Sequence, residues 1–195
     1  DFARRVPIGL EQAILLIRMG AFRNLHESKK NLLWEAHARF IGKKTEHKAL
    51  EMFESNSWDF GTLPTLVHEP IEDSFDEWEL LGFPLCNPFD LAKDIPNCNL
   101  NAQLIANKGS IVGYLVTLKP TRTKKGDRMY FGYFIDQFGE FFDTVHFPSD
   151  LEKYSFKGSG VYFMEGLVME EHGHRSLRVR GLRKLEWKVD PRNES

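Results

Sequence analysis

Leu10, Ala13, Ile14 and Ile17 recur at the spacing of one helical face, Leu15 and Leu16 widen the stripe, and Gly20 stands where that helix would stop. Ser28 is a natural N-cap for a second helix whose apolar side is Leu32, Leu33, Ala36 and Phe40. Farther on, Phe75, Trp78 and Leu81 fall in register over Glu72–Leu81, closed by Gly82, and Asn87-Pro88 opens another turn or two of helix. The carboxylates crowded over residues 69–79 then fall on the solvated side of Phe75 and Trp78.

From Ile111 the pattern changes. Ile111–Leu118 and Met129–Ile135 are rich in β-branched and aromatic residues, and Gly126 and Gly139 punctuate them as turn glycines do, before a third strand. Pro148-Ser149-Asp150 opens a short helical segment ending near Tyr154, with the Ser or Asp able to cap its first turn. Gly158 and Gly160 lead into VYFMEGLVMEE, a turn at His172-Gly173-His174 and a last strand, SLRVRGLRKL. In that strand Leu177 and Val179 alternate with Arg178 and Arg180, a half-buried pattern with a basic outer face.

Three strands, a short helix and two strands is the order of the five-stranded OB-fold barrel, whose strand 1–2 and strand 4–5 loops flank its oligonucleotide face. Here those loops are Thr121–Arg128 and Glu171–Ser176. The expected architecture is α+β in several parts. A helical segment occupies residues 1–44, an acidic connector with short helices 45–107, and an OB-fold β-barrel 108–189.

Charge sharpens that division. The formal net charge of −2 conceals +5 over residues 1–44, −10 over 45–107 and +3 over 108–195. A basic face is the electrostatic footprint of a nucleic-acid binder, whereas the acidic middle suits water or protein. The first barrel loop gathers Lys119, Arg122, Lys124, Lys125 and Arg128, interrupted only by Asp127, beside strands carrying Tyr114, Tyr130 and Tyr133. Cations hold phosphates and aromatic faces stack bases, at about 1–3 kcal/mol per base, so these residues with Arg178 and Arg180 are the candidate nucleic-acid site. A merely solubilising hairpin tip is the bland reading of the same loop.

Apolar content of 42% supports a packed core and excludes a disordered chain. Ala13–Ile17 is the longest purely apolar run, far below the roughly 18 residues a membrane span needs, so no membrane partner is expected. Cys86 and Cys98 lack a CxxC spacing and read as free thiols of a reducing cytosol. His172 and His174, with Glu170 and Glu171 nearby and His146 distant, supply no second ligand pair for a structural zinc. No nucleophile-and-base motif, Walker loop or dinucleotide fingerprint is present, so no catalytic residue or small-molecule substrate is assigned.

The ordered motifs resemble a known family. RRVPIGLEQAILLIRMGAFRNL with SKKNLLWEA is similar to the end of the helix-hairpin-helix region in the α subunit of bacterial DNA polymerase III. EDSFDEWELLGFPLCNPFDL resembles the segment before that subunit's OB domain, with Leu81-Gly82 and Pro88 at the recurring positions. The family's OB signature looks like Thr123–Gly126, Met129 with Phe131, Asp136 with Gly139, and Phe147-Pro148.

The resemblance implies a non-catalytic, DNA-binding and scaffolding segment of a replicative polymerase in the bacterial cytoplasm. Its OB domain would engage single-stranded template. The nucleotidyltransferase chemistry, with its Mg²⁺, would belong to metal-binding aspartates outside this chain, and the fragment itself would hold no cofactor. The start DFARRVP, without an initiator Met or signal region, fits a piece of a longer protein, and the hairpin's glycine-rich turn would lie upstream of Asp1. Other replisome subunits become candidate partners, the sliding clamp among them. In this family a short peptide of Gln followed by apolar residues and Phe can plug into the clamp. Leu50, Met52 and Phe53 fit its apolar part, while Ala49 replaces the Gln. Two alternatives stay open on the residues alone: an RNA-binding OB module of a tRNA-handling enzyme, and a structural OB domain that docks protein.

Overall fold

The structure, a computed structural model, describes residues 2–25, 28–43, 66, 69–96, 98, 108–171 and 173–193. The clamp-like peptide of Leu50, Met52 and Phe53 and the turn residue His172 lie outside the described residues. The chain forms two compact units, residues 1–84 with 190–195, and residues 85–189.

In the first unit, α1 (Phe2–Arg5) precedes α2 (Leu10–Arg18) and α3 (Lys29–Lys43), and α4 (Pro70–Leu81) packs against α2. Ala13 and Ile17 of α2 and Ala36 of α3 are buried, as the helical spacing predicts. Gly20 takes φ +77° just past the end of α2, where a residue with a Cβ would be strained. The Ser28 hydroxyl accepts a hydrogen bond from the Asn31 N–H at 3.2 Å, the geometry of an N-cap.

Helix α4 departs from expectation. Its carboxylates do not all face water: Asp76 and Glu77 are buried. Arg18 binds Asp76 through Nε at 2.9 Å and Nη2 at 2.7 Å, and reaches Glu79 at 2.6 Å. Arg192 meets the same Asp76 oxygen at 2.7 Å. Lys29 lies 3.4 Å from Asp73, and Lys30 lies 2.8 Å from Glu72. Asp76, and to a smaller degree Glu79, raise the affinity of Arg18 for its proton, chiefly through the Asp76 hydrogen bond. Cations of the basic N-terminal stretch thus pair with carboxylates of α4 within one unit.

The second unit is a closed barrel of β1 (Lys108–Arg122), β2 (Arg128–Asp136), β3 (Phe141–His146), β4 (Val161–Glu171) and β5 (His174–Lys184), in the order β1-β2-β3-β5-β4. Neighbouring strands pair antiparallel except β3 and β5, which run parallel over Asp143–Val145. With α5 (Pro148–Leu151) between β3 and β4, this is the OB-fold arrangement. Ile111, Leu115, Phe134, Tyr162, Met164, Leu177 and Val179 fill the interior.

Two glycines allow that packing. A Cβ at Gly166, across from a bulge at Arg180 in β5, would lie 2.1 Å from the Arg178 carbonyl oxygen, and one at Gly132 would lie 2.4 Å from Thr144 Oγ1. The strands extend past their expected ends, because Arg122 still pairs with Arg128 and Glu171 with His174.

A stretch assigned to the connector belongs to the barrel unit. Phe89, Ala92 and Cys98 bury against Val112, Val161 and Leu185 on the outer side of β1 and β4. Backbone bonds from Lys93 N to Glu186 O (2.7 Å) and Lys188 N to Leu91 O (2.8 Å) fasten it there. Helix α5 is capped differently than expected, with Phe147 at its N-cap and no side-chain cap hydrogen bond. Asp150 is fully buried instead and turns to β5. Among the described residues no helix is long and apolar enough to cross a membrane.

Candidate nucleic-acid interface

The β1–β2 loop is a tight, internally braced tip of Thr123–Asp127. Thr123 Oγ1 accepts from the N–H groups of Lys125 (3.3 Å) and Asp127 (3.2 Å), and Gly126 makes the turn at φ +91°. Arg122 Nη1 donates to the Gly126 carbonyl at 3.2 Å. Lys119, Arg122, Lys124, Lys125 and Arg128 are all exposed, and among the described residues none of them forms an ion pair with a carboxylate. Five exposed cations on this hairpin, none matched to a carboxylate among the described residues, are open to phosphates.

Strand register defines the surface beside that tip. One row across β1, β2, β3 and β5 reads Lys119–Phe131–Val145–Arg178, and the next reads Thr117–Tyr133–Asp143–Ser176. In-register residues share a face, and this one is outward, with Phe131 46% exposed, Tyr133 39% and Phe141 55%, although Val145 on it is covered. Tyr133 and Phe141 stack with ring centres 5.1 Å apart and planes 7° from parallel. A bulge in β1 between Leu115 and Thr117 leaves Val116 exposed at its margin.

The aromatic set therefore differs from the one read in the sequence. Tyr133 is on the face, joined by Phe131 and Phe141. Tyr130 has the opposite parity and packs edge-on against Phe156 at 5.9 Å, at the barrel end below the tip. The Arg128 guanidinium lies 6.0 Å from the Tyr130 ring centre. Tyr114 is packed against the Phe89–Leu185 cluster, and its burial raises the phenol pKa. The clue to parity is Gly132. Phe134 and Thr144 fill the space where its side chain would be, so 132 points inward and 131 and 133 outward.

Arg178 and Arg180 are not free cations of a basic face. Arg180 Nη1 donates to Asp150 Oδ1 at 3.2 Å, and Arg178 Nη2 lies 3.8 Å from Asp150 Oδ2. The Arg178 guanidinium carbon also lies over Phe147, 4.4 Å from the ring centre. A fully buried carboxylate requires such cations, so they brace α5 to β5 before they meet any ligand. Asp143, in the row of Tyr133, is bound by His174 Nε2 at 2.5 Å.

Inside the barrel, His146 Nε2 contacts Thr144 Oγ1 at 2.8 Å and Nδ1 contacts the Tyr154 hydroxyl at 3.0 Å. A neutral ring has one N–H, so it donates to one hydroxyl and accepts from the other. Burial lowers the His146 pKa to about 4, offset only in part by the Asp150 carboxylate. Burial likewise raises the Tyr154 phenol. This polar string is a core feature and is not on the outer face.

No protein-family model matches the chain, and no curated protein does. Among solved structures, the second OB-fold domain of replication protein A from Methanococcus maripaludis is similar at 16% identity and a TM-score of 0.30, over 42% of this chain and 87% of that one. PriB from Ralstonia solanacearum is similar at 15% identity and a TM-score of 0.29, over 40% of this chain and 96% of that one. The barrel assignment rests on strand order and register.

Proposed function

We propose that the barrel binds single-stranded DNA, and that the chain is a non-catalytic DNA-binding and scaffolding segment of a replicative polymerase like the α subunit of bacterial DNA polymerase III. The observation that carries the binding reading is that five exposed cations, matched to no carboxylate among the described residues, lead into a face of exposed rings, with Lys119 directly across from Phe131 and with Tyr133 and Phe141 farther along. Cations draw the backbone in and rings accept bases without regard to sequence. The polymerase assignment draws on the ordered motifs described above; the Mg²⁺-dependent chemistry would lie elsewhere in the parent. On sequence grounds, Leu50, Met52 and Phe53 remain the candidate contacts for a sliding clamp.

Titration of labelled single-stranded DNA, single-stranded RNA and duplex at two salt concentrations tests the reading. Single-stranded DNA is expected to bind best, with affinity falling as salt rises. A clear preference for RNA would favour the tRNA-handling alternative, and no binding to any of the three would favour a protein-docking barrel. Primer extension with Mg²⁺ and all four nucleotides should show no synthesis by this chain alone. Extension abolished by a substitution in this chain would overturn the non-catalytic assignment.

A further inference from the structure

Asp143 is out of place on a surface that attracts phosphates. It stands directly across from Tyr133 on the neighbouring strand, with Ser176 on its other side, and its side chain is 39% exposed. Adjacent strands lie about 4.8 Å apart, so a base stacked on Tyr133 with its edge toward β3 meets this carboxylate. His174 engages Oδ2 and orients the group, while no side chain or backbone N–H among the described residues donates to Oδ1. An oriented acceptor beside a stacking ring, with one oxygen still open, is a reader of base edges.

We infer that Asp143 selects the base stacked on Tyr133 for hydrogen-bond donors on its pairing edge, with guanine preferred and thymine disfavoured. The inference rests on the single-strand reading of the barrel face. An ionised carboxylate only accepts. Guanine offers N1–H and the N2 amino group side by side, so one can reach Oδ1 while the other uses the lone pair of Oδ2 that His174 leaves free. Cytosine and adenine each offer one exocyclic amino group. Thymine offers N3–H between two carbonyl oxygens, which a carboxylate repels. Unstacked bases of single strands are read on these edges, and a carboxylate accepting from an exocyclic amine is an established base contact.

The test uses the full chain and three labelled oligonucleotides of equal length: all thymine, thymine with spaced guanines, and the same with hypoxanthine replacing guanine, which deletes only the N2 amino group. The guanine strand should bind roughly five- to tenfold more tightly than the thymine strand, with hypoxanthine between them. Asp143→Asn should shrink the guanine preference to about twofold or less, and Asp143→Ala should abolish it while raising affinity for the thymine strand. Tyr133→Ala should weaken all three and erase the ranking. Equal binding of all three strands by the parent, or a guanine preference that survives Asp143→Ala, overturns the inference. Salt-sensitive binding of the thymine strand in those cases would leave the single-strand reading standing. Absence of binding to every strand would remove both.

Discussion

Two parts of this molecule gather cations, and they use them in opposite ways. In the helical unit Arg18, Lys29, Lys30 and Arg192 each meet a carboxylate of α4. At the end of the β1–β2 hairpin, Lys119, Arg122, Lys124, Lys125 and Arg128 meet none among the described residues. Linear charge counts make both stretches look like nucleic-acid footprints. Pairing separates them: a cation already matched to a partly buried carboxylate would have to lose that contact to bind phosphate, whereas an exposed unmatched one gives up only water and counterions. The β5 arginines belong with the helical set, since Asp150 holds them.

The largest effect expected concerns an ionisable group that has neither role. His146 is buried and has hydroxyl partners. Its pKa is about 4 in the folded barrel and about 6.5 in the unfolded chain, so between those values the unfolded state binds more protons. Its contribution is complete above pH 6.5 and falls as pH drops towards 4, by about 3 kcal/mol in all. Urea midpoints across that range should decline in the parent and stay flatter in His146→Gln. Parallel profiles would show that the ring is not held neutral.

Next is Asp76→Ala, which leaves Arg18 and Arg192 facing each other across a site that is only partly exposed. A loss of about 2 kcal/mol is expected, below the usual figure for a fully buried pair because water still reaches both arginines. Lys124→Glu with Lys125→Glu should move stability by less than about 0.5 kcal/mol. Equal destabilisation by both changes would erase the distinction between the two sets of cations. Phe131→Ala should weaken single-strand binding by about 1–2 kcal/mol while leaving its salt dependence nearly unchanged. Tyr114→Phe should leave binding as it was, because that ring is packed against Phe89 and its neighbours.

Much of this architecture is legible in the residues, and each exception has a physical cause. Gly126 and Gly139 mark hairpin turns, Ser28 caps α3, and the alternation of Leu177 and Val179 with Arg178 and Arg180 sets the inward face of β5; each signal is local. The fate of the charges is not local. Asp76 finds Arg18 58 residues earlier, and Asp150 finds Arg180 30 residues later. The face of β2 is obscured for another reason. Both of its sides are aromatic, so alternation has nothing to anchor it, and only the crowding around Gly132 decides that Phe131 and Tyr133 turn outward. Loop limits shift because Arg122 and Arg128 continue the ladder where the residue types suggest a turn.

The salt dependence of single-strand binding decides whether the tip cations hold the strand. Each neutralised phosphate on a single strand contributes about 0.7 to the slope of log K against log salt, so engagement of three to five tip cations gives roughly −2 to −3.5. The double substitution Lys124→Glu, Lys125→Glu should flatten that slope by about 1.4 or more without changing the melting temperature. A double variant that binds single-stranded DNA with the parent's affinity and slope would contradict the account, because the unpaired tip would then have no part in holding the strand.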